Sequence, residues 1–187
     1  MGTPEAQLKP GVERWSVKIG TDPQAPQVNI DSPQIGAIVA LVALPAPADP
    51  DQVPDRDAPT ELTLYSLEAT LTAYKLEEDG DYHLVLSDGT STMIAEIPDP
   101  DFCTDSIWLT QITAARAAFN ARFGDQVAAL KALSETLTEG VPMITKVSVP
   151  VTLQGVGFFD RLHGQTGVAP NAIELHPVLS IMFTPPA

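Results

Sequence analysis

The chain has a single cysteine, Cys103, in 187 residues. No internal disulfide can form, and neither a paired redox motif nor a thiolate zinc site is available. Cys103 reads as a small, partly buried side chain. Basic residues are scarce: ten Lys and Arg stand against 24 Asp and Glu, a formal net charge of −14. The deficit is uneven, since residues 61–105 carry one lysine against eleven acids, a net of −10. Affinity for nucleic acid rests mainly on Lys and Arg neutralising phosphates, so no nucleic-acid partner is expected. No run reaches the ~18–20 apolar residues of a membrane helix. The run Ile35–Leu44 is too short and is closed by Pro45. There is no phosphate-loop or dinucleotide fingerprint, and no serine in a Gly-x-Ser-x-Gly elbow. No signal peptide is legible at Met1.

Proline, by contrast, is abundant. Eighteen prolines cut the chain into short elements and disfavour a helical bundle. With 44% hydrophobic and 18% charged residues the chain is globular, and its length fits one domain. Residues 1–59 are proline-rich and weakly periodic, and read as an extended N-terminal segment packed on the domain. Within it Trp15–Ile19 alternates and predicts an edge strand, Gly20–Pro23 a turn, and Ile35–Leu44 a short buried helix or strand. Pro45–Pro59 reads as a loop with no core of its own.

The β pattern strengthens from residue 60. Thr63–Leu76 alternates over a length that predicts a bulge. The turns at Glu77–Asp81 and Ser87–Thr90 separate it from strands at Tyr82–Leu86 and Thr92–Ile97, a three-stranded meander. Trp108, Ile112, Ala115, Phe119 and Phe123 form a helical stripe that Gly124 ends. A second helix is expected over 125–138, giving helices near 106–123 and 125–138. Val147–Phe159 and Ile173–Phe183 then read as strands, with Gly164–Asn171 as a loop between them. The fold class expected is mainly β (α+β): a small antiparallel OB-like barrel over 60–187 with one or two packed helices.

Three segments carry a resemblance. The ending His163–Val178 (HGQTGVAPNAIELHPV), the start Arg14–Asp22 (RWSVKIGTD) and the centre Tyr74–Pro100 (YKLEEDGDYHLVL…TMIAEIPDP) resemble a family of uncharacterised bacterial proteins. The resemblance runs from Arg14 to Ile181. It implies a common fold and no activity, and it implies export, with the leader absent from this sequence. The meander also has a fold-level likeness to thermonuclease-like small barrels. Asp99 and Asp101 sit where those enzymes carry metal-binding carboxylates, but Thr92–Ile97 lacks their arginine, which argues against that activity.

The candidate polar cluster is Asp160, Arg161, His163, Glu174 and His176. Glu174 and His176, two apart on a strand, share a face, and His163 precedes the loop that returns to it. Two imidazoles and a carboxylate match the ligand set of an open zinc site, so His163, Glu174 and His176 are the candidate metal ligands. The alternative is a structural network in which Arg161 pairs with Glu174. Glu77, Glu78, Asp79, Asp81 and Asp88 read as solvated hairpin acids, and His83 as a face residue. Two functions remain: a non-catalytic binding or scaffold domain for an unidentified ligand or protein, or a divalent-metal-dependent hydrolase of an ester or phosphodiester centred on His163, Glu174 and His176.

Overall fold

The computed structural model describes residues 13–53, 55–136 and 144–184. Residues 1–12 of the N-terminal segment, and the part of the expected second helix beyond Thr136, lie outside them. The described chain is mainly β with one long helix. Its elements are α1 (Trp15–Ile19), β1 (Gln34–Ile35), α2 (Ile38–Leu41), β2 (Leu64–Leu76), β3 (Tyr82–Ser87), β4 (Thr92–Ile97), α3 (Leu109–Thr136), β5 (Thr145–Phe159) and β6 (Ile173–Phe183).

The six strands form one sheet in the order β1-β2-β3-β4-β6-β5, and β5, at the far end, pairs with β2 as well. The meander β2-β3-β4 forms as its turns predict, with the expected bulge in β2 between Leu71 and Ala73. The sheet is mixed, however, and corrects the antiparallel expectation: β1 runs parallel to β2, and β4 parallel to β6. Direction explains the second pairing. β4 runs with β2, β5 runs against β2, and β6 runs against β5, so β6 must run with β4 when it lies beside it.

Two further expectations change. Trp15–Ile19 is a helical turn, not an edge strand. Arg14 (φ 46°) and Gly20 (φ 71°) both adopt left-handed backbone and close the turn at its two ends. A Cβ on Gly20 would lie 2.2 Å from the Trp108 ring, so glycine serves both the turn and the close approach. The second change is that α3 runs through Gly124. The stripe Ile112, Ala115, Phe119 and Phe123 continues to Val127, all buried, and this packing outweighs the weak helix propensity of one glycine. Gly124→Ala is therefore expected to raise stability by about 0.5–1 kcal/mol. A Cβ there would meet only the Asn120 side chain, at 3.5 Å or more. A lowered urea midpoint would show that Gly124 is needed for a break in the helix.

Strand alternation sends side chains to two cores. Leu67, Leu71, Leu84, Leu86, Met93, Ile97, Leu153 and Leu175 pack with Phe119 and Phe123 of α3. Tyr74 joins them, its ring edge-on to Phe119 at 5.3 Å and its hydroxyl donating to Gln126 at 2.8 Å. On the opposite face Leu64, Val156 and Leu179 pack with Ile19, Ala25, Val28, Cys103, Trp108 and Ile112. Ile19, Ala25 and Val28 of the N-terminal segment thus pack on the sheet's other face, while Ile38 and Leu41 join the main core. Val39 and Ile35 are exposed, so only Ile38 and Leu41 of the apolar run are fully buried.

Candidate functional site

The face turned away from the main core also gathers charge. On β3 and β4, Leu84, Ala95 and Ile97 point to the core, so His83 and Glu96 point the other way and stand opposite each other in register. On β6, Ile173 and Leu175 point to the core and Glu174 and His176 away from it. The β4–β6 pairing sets Ile94 against Glu174, which brings the two pairs together. Asp81, at the end of the β2–β3 hairpin, and Lys18, from α1, complete the group.

Glu96 sits between two imidazoles. Its Oε1 is 3.0 Å from His83 Nδ1, and its Oε2 is 3.1 Å from His176 Nδ1. His176 Nδ1 also lies 3.2 Å from Glu174 Oε1. His83 Nε2 is 3.0 Å from the carbonyl of Thr166, which ties the Gly164–Asn171 loop to this face. His176 and Asp81 are each 1% exposed. Asp81 is therefore not the solvated hairpin acid expected; its Oδ1 accepts the backbone N–H of Asp99 at 2.9 Å. Its other oxygen, Oδ2, faces His176 Nε2 at 3.7 Å. Both of these buried atoms lack a hydrogen-bond partner among the described residues.

The electrostatics follow from burial and neighbours. Burial pushes the Asp81 carboxyl up to about 7, against the pull of His176. Burial, then the charges of Glu96 and Asp160, push Glu174 up to about 7. For His176 burial favours the neutral ring, but hydrogen bonds to Glu174 and Glu96 outweigh it and raise the group to about 10. Burial likewise opposes the charge on Glu96, and the two imidazoles overcome it and hold Glu96 well below the carboxylate range. Lys18 is raised because Glu174, Asp160 and Glu96 outweigh its burial.

The chain matches no family model, no curated protein and no solved structure.

The candidate residues of the C-terminal segment separate into two groups. Glu174 and His176 join the buried cluster. His163, with its side chain 57% exposed, lies 3.9 Å from Asp160 Oδ2. Its donor atoms group with Glu13 and Asp160, and no group of three potential ligands among the described residues contains both His163 and His176. The loop does not turn His163 inward, because Gln165 holds it: the backbone N–H of His163 donates to Gln165 Oε1 at 3.0 Å, and Gln165 Nε2 donates to Asp160 Oδ2 at 3.2 Å. Arg161 pairs with Asp51 at 3.3 Å, not with Glu174. Asp160 is the link, since its Oδ1 lies 3.5 Å from Lys18 Nζ.

An open cleft of about 600 Å³ runs along this face, and Glu77, Glu78, Asp79, Glu96, Asp160 and Glu13 line it with Lys18, Lys75, His83 and His163. A smaller hollow of about 380 Å³ between Ala46–Pro50 and Phe159–Leu162 holds Asp160 and Arg161 but no histidine.

Sequence reasoning missed Asp81, His83, Glu96 and Lys18. A signal for one pair was present: the Ser87–Thr90 turn sets the hairpin register, which places His83 opposite Glu96. No local signal places Lys18 or His176 beside them.

Proposed function

We propose that this chain is a non-catalytic binding domain on a small OB-like barrel, with the acidic cleft as the site for a basic peptide segment. The barrel reading is supported by the pairing circuit β2-β3-β4-β6-β5-β2, by the helix between its third and fourth strands, and by the parallel pairing of its third with its fifth. The observation that carries the function is the cleft itself: six carboxylates line it against two lysines. Much of the chain's positive charge is committed inward, with Arg14 on Glu61, Arg56 on Asp22 and Arg116 beside Asp99. What remains attracts cationic side chains and repels phosphate.

The hydrolase reading gains no such support. Glu174 and His176 are 2% and 1% exposed, which leaves a substrate no room at an open coordination position, and His163 is not with them.

The test is fluorescence anisotropy with a labelled octalysine, a labelled octaglutamate and a labelled single-stranded oligonucleotide. Octalysine is expected to bind with an affinity that falls as salt rises, and the other two are not. Glu78→Lys with Asp79→Lys should weaken octalysine about tenfold or more, from two lost rim pairs and added repulsion. Glu68→Lys with Asp105→Lys makes the same charge change at two exposed acids outside the cleft, and should weaken it less. Equal weakening by both pairs would mean general electrostatics rather than a cleft. Oligonucleotide binding that weakens steeply with salt would overturn the reading.

A further inference from the structure

Inside the buried cluster, two polar atoms that no described residue satisfies face each other. Asp81 Oδ2 and His176 Nε2 stand 3.7 Å apart, each without a hydrogen-bond partner among the described residues. That gap exceeds the ~2.7–3.2 Å of an N–H···O hydrogen bond. It is close to the roughly 3.4 Å that separates two donors at about 2.1 Å from one tetrahedral ion. The ring is also oriented for coordination. Nδ1 lies 3.2 Å from Glu174 Oε1 and 3.1 Å from Glu96 Oε2, so that nitrogen is held by carboxylates, and Nε2, which faces Asp81, gives up its proton when the ion binds. A carboxylate behind one imidazole nitrogen, with the other left for the ion, is how metal-binding histidines are commonly held. Glu96 lies within reach: it, Asp81 and His176 can each offer one donor atom to a group no wider than 4.8 Å. Glu96 Oε1 is already paired with His83 and Oε2 lies 3.1 Å from His176 Nδ1, but an ionised carboxylate has about four lone-pair sites.

We propose that Asp81, Glu96 and His176 form a buried site for one divalent transition-metal ion of the zinc class. Mixed imidazole and carboxylate donors suit such ions better than calcium or magnesium. The ion would join the β2–β3 hairpin, β4 and β6 through one side chain each. Its role is structural, because Asp81 and His176 are sealed from solvent. The proposal does not rest on the cleft's taking a peptide, and the probe is the metal alone.

The experiment is calorimetric titration of EDTA-stripped protein with Zn²⁺ at pH 8, where the ion competes more easily with protons for the imidazole, together with a thermal melt. One ion per chain and a higher Tm in its presence are expected. Asp81→Asn should weaken binding by more than about a hundredfold, and Glu174→Gln, which only supports the ring, by about 10–100-fold. His163→Gln should change nothing. Binding that survives Asp81→Asn but disappears in His163→Gln would place the ion at the Glu13–Asp160–His163 group and overturn the proposal. So would a stripped protein that binds no zinc. Anomalous scattering at the zinc edge from crystals of the unaltered chain tests the assignment without a variant: an ion within coordination distance of Asp81 Oδ2 and His176 Nε2 is expected, and one anywhere else overturns it.

Discussion

Replacing Asp22 with Ala lowers the folding free energy by about 3–5 kcal/mol, because it strands a buried guanidinium. The Arg56 side chain is 0% exposed and that of Asp22 3%. The pair is bidentate: Arg56 Nε lies 3.0 Å from Asp22 Oδ1, and Nη2 lies 2.6 Å from Oδ2. Two more N–H groups are used, Nη1 on the carbonyl of Glu61 at 3.0 Å and Nη2 on that of Val17 at 2.9 Å. The guanidinium lies 5.3 Å from the Trp108 ring. One side chain thus ties α1, the turn after it, the turn before β2 and the approach to α3. Removing the acid leaves the charge buried with no counter-charge. Removing both charges should be milder, since a buried pair replaced by apolar groups is often near neutral. Urea denaturation of Asp22→Ala, Arg56→Met and the double variant checks this. A double variant as unstable as the sum of the two singles would mean that the pair is not coupled.

Phe158→Ala is expected to cost about 3–5 kcal/mol, the usual range for deleting a buried ring. Phe158 is 1% exposed and lies on β5 opposite Glu174. Its surroundings are unusual for a core aromatic. The Arg14 guanidinium lies 4.9 Å and Lys18 Nζ 5.2 Å from the ring centroid, and the His176 ring is 6.0 Å away. The ring therefore supplies apolar volume and a negative face for two cations held in a dry place. Phe158→Leu separates these contributions, since it keeps most of the volume and loses the ring face. It should fall between wild type and Phe158→Ala in an equilibrium denaturation curve. An unchanged midpoint for Phe158→Ala would mean that neither contribution operates. A Leu variant as stable as wild type would remove the cation–ring contact from the account.

The candidate site is only partly legible in the sequence. Glu174 and His176 share a face because strand geometry requires it, and their spacing is enough to say so. His163 joins them only if the glycine-rich loop folds it back onto the strand. The loop does return, but it presents Thr166 to His83, while Gln165 fastens His163 to the Asp160 side. Asp81 reads as a solvated turn acid because it follows Asp79-Gly80, and turn chemistry says nothing about what covers a turn. The Arg56–Asp22 and Arg14–Glu61 pairs are separated by 34 and 47 residues, beyond any local pattern.

By itself the sequence determined what depends on neighbours in the chain. Alternation and Asp-Gly turns set the β2-β3-β4 meander and its bulge, and with them the pairing of His83 with Glu96. A lone cysteine excluded disulfides, and the shortage of lysine and arginine set the acidic character. Only tertiary structure decided the rest. Trp15–Ile19 alternates like a strand, yet the left-handed residues at its ends and the Trp108 ring against Gly20 make it a helical turn. Gly124 reads as a stop, yet the stripe from Phe123 to Val127 still has a core to pack on, and the helix continues. Above all, β6 falls between β4 and β5 because two strands distant in sequence leave that place open, and this non-local pairing brings His176 to Asp81 and Glu96. The physical reason is range: backbone propensity and periodicity act over a few residues, whereas burial of a charge depends on every segment that closes over it.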